Sequence, residues 1–513
     1  MRKILNSTIR LYLKSRYNKF EYSVSQPQVA QADVLEDLLF SASDTEFGQR
    51  HRFAELRHYE DFRREVPISA YDDMKHDIKR MMHGEQDVLW PGKVTWFSKS
   101  SGTTSDKSKF IPVSKQSLKH CHVKGFWDSL ALLYHHHPEA KIFEYNNLVV
   151  GGSLYEFGPH KETRFGDVSA ILIHEMPLVG RPFYSPDFAT ASMKKWDEKI
   201  ERTAQLASED RDIGTIGGVP TWNIVLFKRV LEITGKSNLL EVWPHLELYV
   251  HGGVNFEPYR NQFEALIPKK DFIYKDVYNA SEGYFAFQDH RSSDLLLFPD
   301  GGIFYEFIPM DKMDNPADHA VSLQDVNTGV NYAMLISTNA GLWRYLIGDT
   351  VTFTETNPFR IRITGRTKHF VNAFGEEVMV DNTDQALSRT CQEMQVKIRD
   401  YTVAPIYLNT THKGRHEWLI EFDGIAPNLD HFSAVLDDHL QQINSDYEAK
   451  RYEDMAMQRL TVRSLPKDTF AKWLVRKKKV GAQIKVPRLS NNREMAEEIL
   501  QMLPKHEGVR SNP

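Results

Sequence analysis

Ser100, Ser101, Gly102, Thr103 and Thr104 stand in a row, with Lys107 and Lys109 just behind them. Hydroxyls, backbone amides around a glycine and two ammonium groups together suit a phosphate chain, which needs many donors and positive charge. The spacing is not that of a Walker A loop, G-x-x-x-x-G-K-[ST] opening a helix, because Gly102 stands alone. By itself such a stretch is also an ordinary polar turn. Three further pieces follow in order. Tyr278-Asn-Ala-Ser281-Glu282 offers one carboxylate, Gly341-Leu-Trp-Arg-Tyr-Leu-Ile-Gly-Asp349 offers a second, and Gly365-Arg366 a cation. Each alone reads as a turn, a cap or a surface charge, so the information lies in their order.

The elements that must position these residues are legible from apolar spacing. Strands at 94–97 and 110–113 flank the Ser/Thr/Gly loop, and Ser114 caps a helix reaching Tyr134. A strand at 246–250 ends at Gly252-Gly253, and one at 272–278 leads into Glu282. Residues 148–150 and 170–174 read as buried strands, 28–41, 193–206 and 221–234 as helices, the last stopped by Gly235. From 295 the pattern becomes strand-rich: 295–298 and 303–307 flank Pro299-Asp-Gly-Gly302, a hairpin signal, and 332–337, 350–354 and 360–364 follow. Beyond Gly365-Arg366 the sequence changes to a compact α+β pattern. Helices fall at 382–393, 429–444 and 469–477, strands at 401–408, 417–422 and 459–463. The expected fold is α/β, with a β-rich portion closing a large N-terminal domain (1–375) and a small mobile α+β C-terminal domain (376–513).

Composition bounds the function. The 513 residues carry a net charge of −5, so no global basic field points to nucleic acid as a partner. Two cysteines, Cys121 and Cys391, exclude a disulfide scaffold and a four-cysteine zinc site, and suit a reduced cytoplasmic protein. No apolar run reaches the roughly 18 residues of a membrane span, so no membrane partner is expected. The amphipathic segment 1–17 reads as a helix docking on the domain. His120-Cys121-His122 and His135-His-His137 lack metal-site spacing, and the basic run from Lys472 to Arg488 reads as a solvated helix end. Gly217-Gly-Val-Pro-Thr-Trp222 opens a helix and offers Trp222, with Phe157 and Phe183, to a substrate pocket or to the core.

The ordered motifs resemble the adenylate-forming superfamily, and within it the auxin-responsive (Gretchen Hagen) acyl-acid amido synthetases. That family's pattern is roughly S-S-G-T-T-x-G-K-x-K, Y-x-x-S-E, L-Y-R-Y-R-L-G-D and, near the C-terminus, G-x-x-x-Q-Y-K-x-P-R. This chain matches the last with Gly481-Ala-Gln-Ile-Lys485-Val-Pro-Arg488. The resemblance implies ATP and Mg²⁺. A small carboxylic acid is adenylated with release of pyrophosphate, and the acyl group passes to an amine or amino acid with release of AMP. It implies that Ser100 to Thr104, Lys107 and Lys109 bind phosphates, with Tyr278 and Ser281 beside them. Glu282 would bind Mg²⁺, a hard cation that takes oxygen ligands, and Asp349 the ribose diol. Arg366 would stand at the hinge and Lys485 swing over the adenylation site. Gly252 and Gly253 would let backbone approach the adenine. Asp106, Leu346, Asn382 and the shortened Gln483-Ile484-Lys485 depart from the pattern. They leave adenylation intact and the acid and acceptor unassigned. An acyl-CoA ligase and a non-catalytic nucleotide-binding relative are the alternatives.

Overall fold

The computed structural model describes residues 2–103, 106–158, 160–254, 256–289, 294–367, 370–407, 413–454, 456–477 and 486–503, with side chains except at 101–103, 106, 107, 161, 258, 370 and 381. The chain divides into two compact units: Met1–Ser100 with Lys109–Thr367, and Ser101–Ser108 with Lys368–Pro513.

In the first unit the N-terminal helix, Arg2–Ser25, buries Ile9, Leu13, Tyr17 and Phe20, spaced three or four apart on one face. Each such burial stabilises by roughly 1.5–3 kcal/mol relative to exposure. The helix packs on Val123–His136, where Arg16 Nε pairs with Asp128 at 2.6 Å and Tyr134 Oη donates to Asn6 Oδ1 at 2.5 Å.

Strands β1 (Trp96–Thr103) and β2 (Asp106–Val113) are neighbours. After them Ser114 Oγ accepts from Ser117 N at 2.9 Å, the expected helix cap. Strand β3 (Asn146–Val149) begins the main sheet, while β4 (Leu154–Phe157) and β5 (His160–Gly166) complete a four-stranded sheet ordered β2-β1-β5-β4. The main sheet then gains β6 (Tyr184–Ser185), β7 (Ile213–Gly217), β8 (Leu248–Gly252) and β9 (Ile273–Ala280). These pair in parallel as β6-β3-β7-β8-β9. From β10 (Gly283–Gln288) onward the pairing is antiparallel, through β11 (Leu295–Leu297), β12 (Ile303–Pro309), β13 (Val321–Ser322), β14 (Asn331–Thr338), β15 (Tyr345–Thr356) and β16 (Phe359–Arg366). The full order is β13-β12-β14-β15-β16-β11-β10-β9-β8-β7-β3-β6, so the β-rich portion continues the α/β sheet.

Three sequence expectations are corrected here, the first being the loop between 97 and 110, most of which is strand, in β1 up to Thr103 and in β2 from Asp106. Residues 170–174 lie in a helix, Val168–His174, that buries Ala170, Ile171 and Ile173. A short apolar run fits a buried helix as well as a strand. Pro299 to Gly302 does not close a hairpin either, because β14, β15 and β16 stand between β11 and β12. The buried amide of Gln31 occupies the backbone groups there: Nε2 donates to Pro299 O (2.6 Å) and Ile303 O (2.9 Å), and Oε1 accepts from Tyr305 N (2.8 Å).

The second unit holds the short pair β17 (Phe370–Val371) and β18 (Val378–Met379), then β19 (Ile398–Ile406), β20 (Arg415–Phe422) and β21 (Thr461–Leu465) in one three-stranded sheet. Helices Val380–Glu393 and Leu429–Ile443 pack together. Buried Trp418 stacks on Tyr401 at 5.4 Å, and His416 Nε2 meets Glu376 Oε1 at 2.7 Å with both side chains enclosed. Helices Val380–Glu393 and Leu429–Ile443 and strands β19, β20 and β21 follow the spacing read from the sequence.

Candidate active site

In a flat sheet the four strand steps from β9 to β15 would span about 19 Å, at about 4.8 Å each. Yet Tyr278 Oη on β9 donates to Asp349 Oδ2 on β15 at 2.5 Å. The antiparallel half therefore curls until its members face one another. Asp349 also accepts from Arg366 Nε on β16 at 2.8 Å. Both charged residues follow a glycine at positive φ, Gly348 (98°) and Gly365 (148°). The β14–β15 and β15–β16 registers shift at Ala333/Leu335 and Thr350/Val351. Asp349 and Arg366 stand directly opposite each other in the β15–β16 register, so the pairing sets a carboxylate against a guanidinium. Asp349 lies inside β15, which starts before the strand expected at 350–354.

Ser281 and Glu282 form the two-residue turn between β9 and β10. Ser98 Oγ on β1, fully buried, donates to Ser281 Oγ at 2.8 Å and ties this turn to the strand that leads into Ser100. Glu282 is half-buried. Desolvation pushes its carboxyl up to about 7; Lys109 on β2 pulls it down and Asp349 pushes it further up. Tyr278 is driven well above the ordinary phenol value, first by burial and then by Asp349.

Tyr278, Asp349 and Arg366 are thus joined directly, with Glu282 and Lys109 close enough to be felt electrostatically. Gly252 pairs with Val277, the neighbour of Tyr278. A Cβ at Gly252 would lie 2.5 Å from Val277 O, so strand packing alone requires glycine there, and Gly253 has a φ of 80°. Ser100 is half-buried on β1. Ser101, Gly102, Thr103 and Lys107 lie on the β1 and β2 backbones, with side chains outside the described set. Thr104 and Lys485 lie outside the described residues.

Other motif residues have structural partners. Arg344, within the block that ends at Asp349, is 1% exposed and forks onto Glu306 at 2.8 Å while donating to Arg63 O and Val66 O. By contrast Asp349 and Arg366 are 15% and 16% exposed, open enough to touch a ligand. His122 Nδ1 lies 3.1 Å from Asn279 Oδ1, and Cys121 Sγ accepts from Tyr284 N. Trp222 is buried and packs on Trp196, ring centroids 4.4 Å apart, and Phe183 is buried too.

Sequence reasoning passed over three residues here. Ser98 falls in the loop read between the strands at 94–97 and 110–113, and Tyr345 inside the 341–349 block; neither is singled out by its type. Lys199, on the helix Trp196–Glu209, is 2% exposed and donates to Gly151 O (3.1 Å) and Gly152 O (2.6 Å) after β3. Nothing in its spacing marks a buried lysine.

The fold is that of the adenylate-forming ligases. The structure superposes on a 2-hydroxyisobutyryl-CoA ligase with a TM-score of 0.55 at 14% identity, over 92% of this chain and 91% of the other. It superposes on a GH3.15 acyl acid amido synthetase in complex with 2,4-DB with a TM-score of 0.61 at 16% identity, covering 96% of each chain. In sequence it is 22% identical to the indole-3-acetic acid-amido synthetase GH3.4 of Arabidopsis thaliana, over 86% of this chain and 85% of that one. The GH3 family N-terminal domain matches residues 16–148 and 155–272, the central domain 296–366 and the C-terminal domain 381–494, and the chain belongs to the GH3 family. No described helix is long and apolar enough to cross a membrane.

Proposed function

We propose that this chain is an ATP-dependent acyl-acid amido synthetase of the cytoplasm, acting on a small carboxylic acid and an amine or amino acid. The observation that carries the reading is the Tyr278–Asp349–Arg366 chain beside Glu282. Asp349, oriented from both sides, presents acceptor oxygens to the ribose diol. Arg366 pairs with Asp349 and sets a guanidinium beside the nucleotide. Lys109, with Ser100 to Thr104 and Lys107, holds the phosphates. Glu282, a carboxylate whose burial raises the cost of charge, gains from a cation beside it. That donor chemistry fits Mg²⁺, which would be held by Glu282 and neutralise phosphate charge there. Adenylation requires the acid's carboxylate in line with the α-phosphate, so these residues act by positioning and charge.

The parallel strands β3, β7 and β8 each run into a glycine pair: Gly151-Gly152, Gly217-Gly218 and Gly252-Gly253. Ligands of α/β sheets bind outside the carboxyl ends of parallel strands, and we assign the body of the acid to this row. Residues 376–513 act as the lid domain, with Lys485 as its catalytic lysine.

The test is carboxylate-dependent ATP–pyrophosphate exchange across a panel of acids, repeated with amino acids and with CoA. Exchange with at least one acid, followed by amide formation, is expected. Thioester formation in place of amide would turn the reading to a CoA ligase. Absence of exchange with every acid would sink adenylation.

A further inference from the structure

The helix Arg2–Ser25 docks on the first unit by one face and presents the opposite face to solvent. Ile4, Leu11 and Tyr22 lie on one line of that outer face and are 73%, 70% and 64% exposed. At 1.5 Å per residue the line is about 27 Å long. Tyr12 is exposed beside it, edge-on to Trp127 at 6.0 Å, and Trp127 lies 6.3 Å from exposed Phe126 on the neighbouring helix. Lys3, Arg10, Lys14 and Lys19 flank the line and are exposed. No acidic residue precedes Glu21. Among the described residues, Lys3, Lys14 and Lys19 pair with no carboxylate, and Arg10 donates only to Pro138 O, at 3.0 Å. The other two cations turn inward, Arg2 to Asn146 Oδ1 (2.9 Å) and Arg16 to Asp128.

Two arguments separate this face from an ordinary solvated one. Solvated helices gain from opposite charges four residues apart, and these cations have no such partner on the helix. The helix dipole favours anions in the first turn, yet that turn holds Lys3 and no acidic residue. The charges therefore do not serve the helix itself and suit an external anion. A straight apolar line on a convex surface suits a partner that is flat.

We propose that this face docks on a membrane surface carrying anionic lipid headgroups. Ile4, Leu11 and Tyr22 enter the headgroup layer, and Lys3, Arg10, Lys14 and Lys19 meet its negative charge. A helix lying in the interface needs no spanning run, so the expectation of no membrane partner, drawn from span length, does not reach it. The helix keeps its inner face packed on the protein, which makes the docking peripheral and reversible.

The test is cosedimentation of the full chain with vesicles of phosphatidylcholine alone and of phosphatidylcholine mixed with phosphatidylserine. Binding is expected on the mixed vesicles, falling as salt rises, and not on phosphatidylcholine alone. Lys3→Gln, Lys14→Gln and Lys19→Gln together are expected to weaken it about a hundredfold, each cation contributing about fivefold near an anionic surface. Ile4→Ser with Leu11→Ser is expected to weaken it by about tenfold. Ile425→Ser, at an apolar residue of the second unit that is more exposed still, is expected to change nothing. All these side chains are exposed, so wild-type melting temperatures are expected. If a variant melts lower, the wild-type comparison of the two vesicles and its salt dependence decide. No binding, or equal binding to both vesicles, overturns the proposal. So does wild-type binding by the lysine variant, or an equal loss in Ile425→Ser. Binding to duplex DNA as tight as to the mixed vesicles, with Ile4→Ser and Leu11→Ser affecting neither, would make the face a general polyanion site and overturn it too.

Discussion

In the antiparallel half of the main sheet, Arg344 meets Glu306 at 2.8 Å, Arg360 meets Asp289 at 2.5 Å, Arg362 meets Asp294 at 2.8 Å and Arg366 meets Asp349 at 2.8 Å. In and around the parallel half, burial drives titratable groups toward their neutral forms. His251 on β8 is lowered to about 3, Asp276 on β9 is raised to about 7, and Lys199 is lowered to about 8. Parallel strands are covered on both faces, so a charge there loses water without gaining a counter-charge. The curled antiparallel strands instead set opposite charges face to face. One sheet thus offers two environments: fixed, ionised groups suited to a polyanionic nucleotide, and a neutral, glycine-edged wall suited to the apolar body of an acid.

The sharpest way to break this contrast is within the ionised half. Arg344→Met leaves Glu306 buried without its cation, and breaking such a pair costs about 3–5 kcal/mol. Urea unfolding should show that loss, and a loss below about 1 kcal/mol would mean the pairing does not hold this half together. Asp349→Asn addresses the more open pair. Pyrophosphate exchange should fall about a hundredfold, the scale of one or two charge-assisted hydrogen bonds, with folding stability little changed. An Asp349→Asn protein that unfolds like Arg344→Met would make Asp349 structural, erasing the distinction drawn from exposure.

That distinction also marks how far the sequence could be read. Helices such as Pro220–Thr234, with Gly235 at a φ of 64° closing it, follow from apolar spacing and cap chemistry. The strands β8 and β9, and the three strands of the second unit's larger sheet, follow from apolar runs of the right length; β7 and the short β17 and β18 do not stand out in that way. Glu282, Asp349 and Arg366 were legible only as an ordered set matched to a family. Their meeting depends on the register of β15 on β16 and on the curl of the sheet, and neither leaves a mark in local periodicity. The β11–β12 connection failed because Pro-Asp-Gly-Gly is a turn signal whatever follows it, and the partner that prevents pairing, Gln31, lies 268 residues before Pro299. Arg344 and Arg366 look alike in a sequence; only burial separates them, 1% exposed against 16%.

The neutral half makes its own prediction against pH. His251 is enclosed, with Nδ1 unpartnered among the described residues and Phe256 stacked on the ring at 4.1 Å. Burial first, and Arg260 second, hold its imidazole at about 3 against an ordinary 6.5. Asp276, 3.6 Å away, offers little charge to retain a proton because it is itself raised to about 7. The unfolded chain takes up a proton below 6.5 and the folded chain does not, so stability is present above that pH and drains away as pH falls toward 3. From pH 6.5 to pH 5 the loss from this residue is about 2 kcal/mol. His251→Phe should flatten the acid limb of stability by that amount, read from urea midpoints at the two pH values. An unchanged slope would mean that His251 takes up its proton as readily folded as unfolded, and that the parallel half is not the neutral environment described.

The smallest effect is expected at Lys199, where the neutral half nevertheless contains a cation. Among the described residues its ammonium bonds only uncharged acceptors, Gly151 O and Gly152 O, and lies 5.4 Å from the centroid of the Trp196 ring. Those carbonyls belong to the turn after β3, which is also held by Ser169 Oγ on Gly152 N and by Asp167 on Ser153 N. With three tethers, removing one should loosen the turn without unfolding it. Lys199→Met keeps the length and the contact with the indole and loses the donors. Stability should fall by about 1 kcal/mol, and KM for the acid should rise a few-fold while KM for ATP stays at the wild-type value. If KM for ATP moves with it, the glycine row and the nucleotide residues form one rigid constellation, and the division of the sheet into a nucleotide half and an acid half fails on function even where it holds on charge.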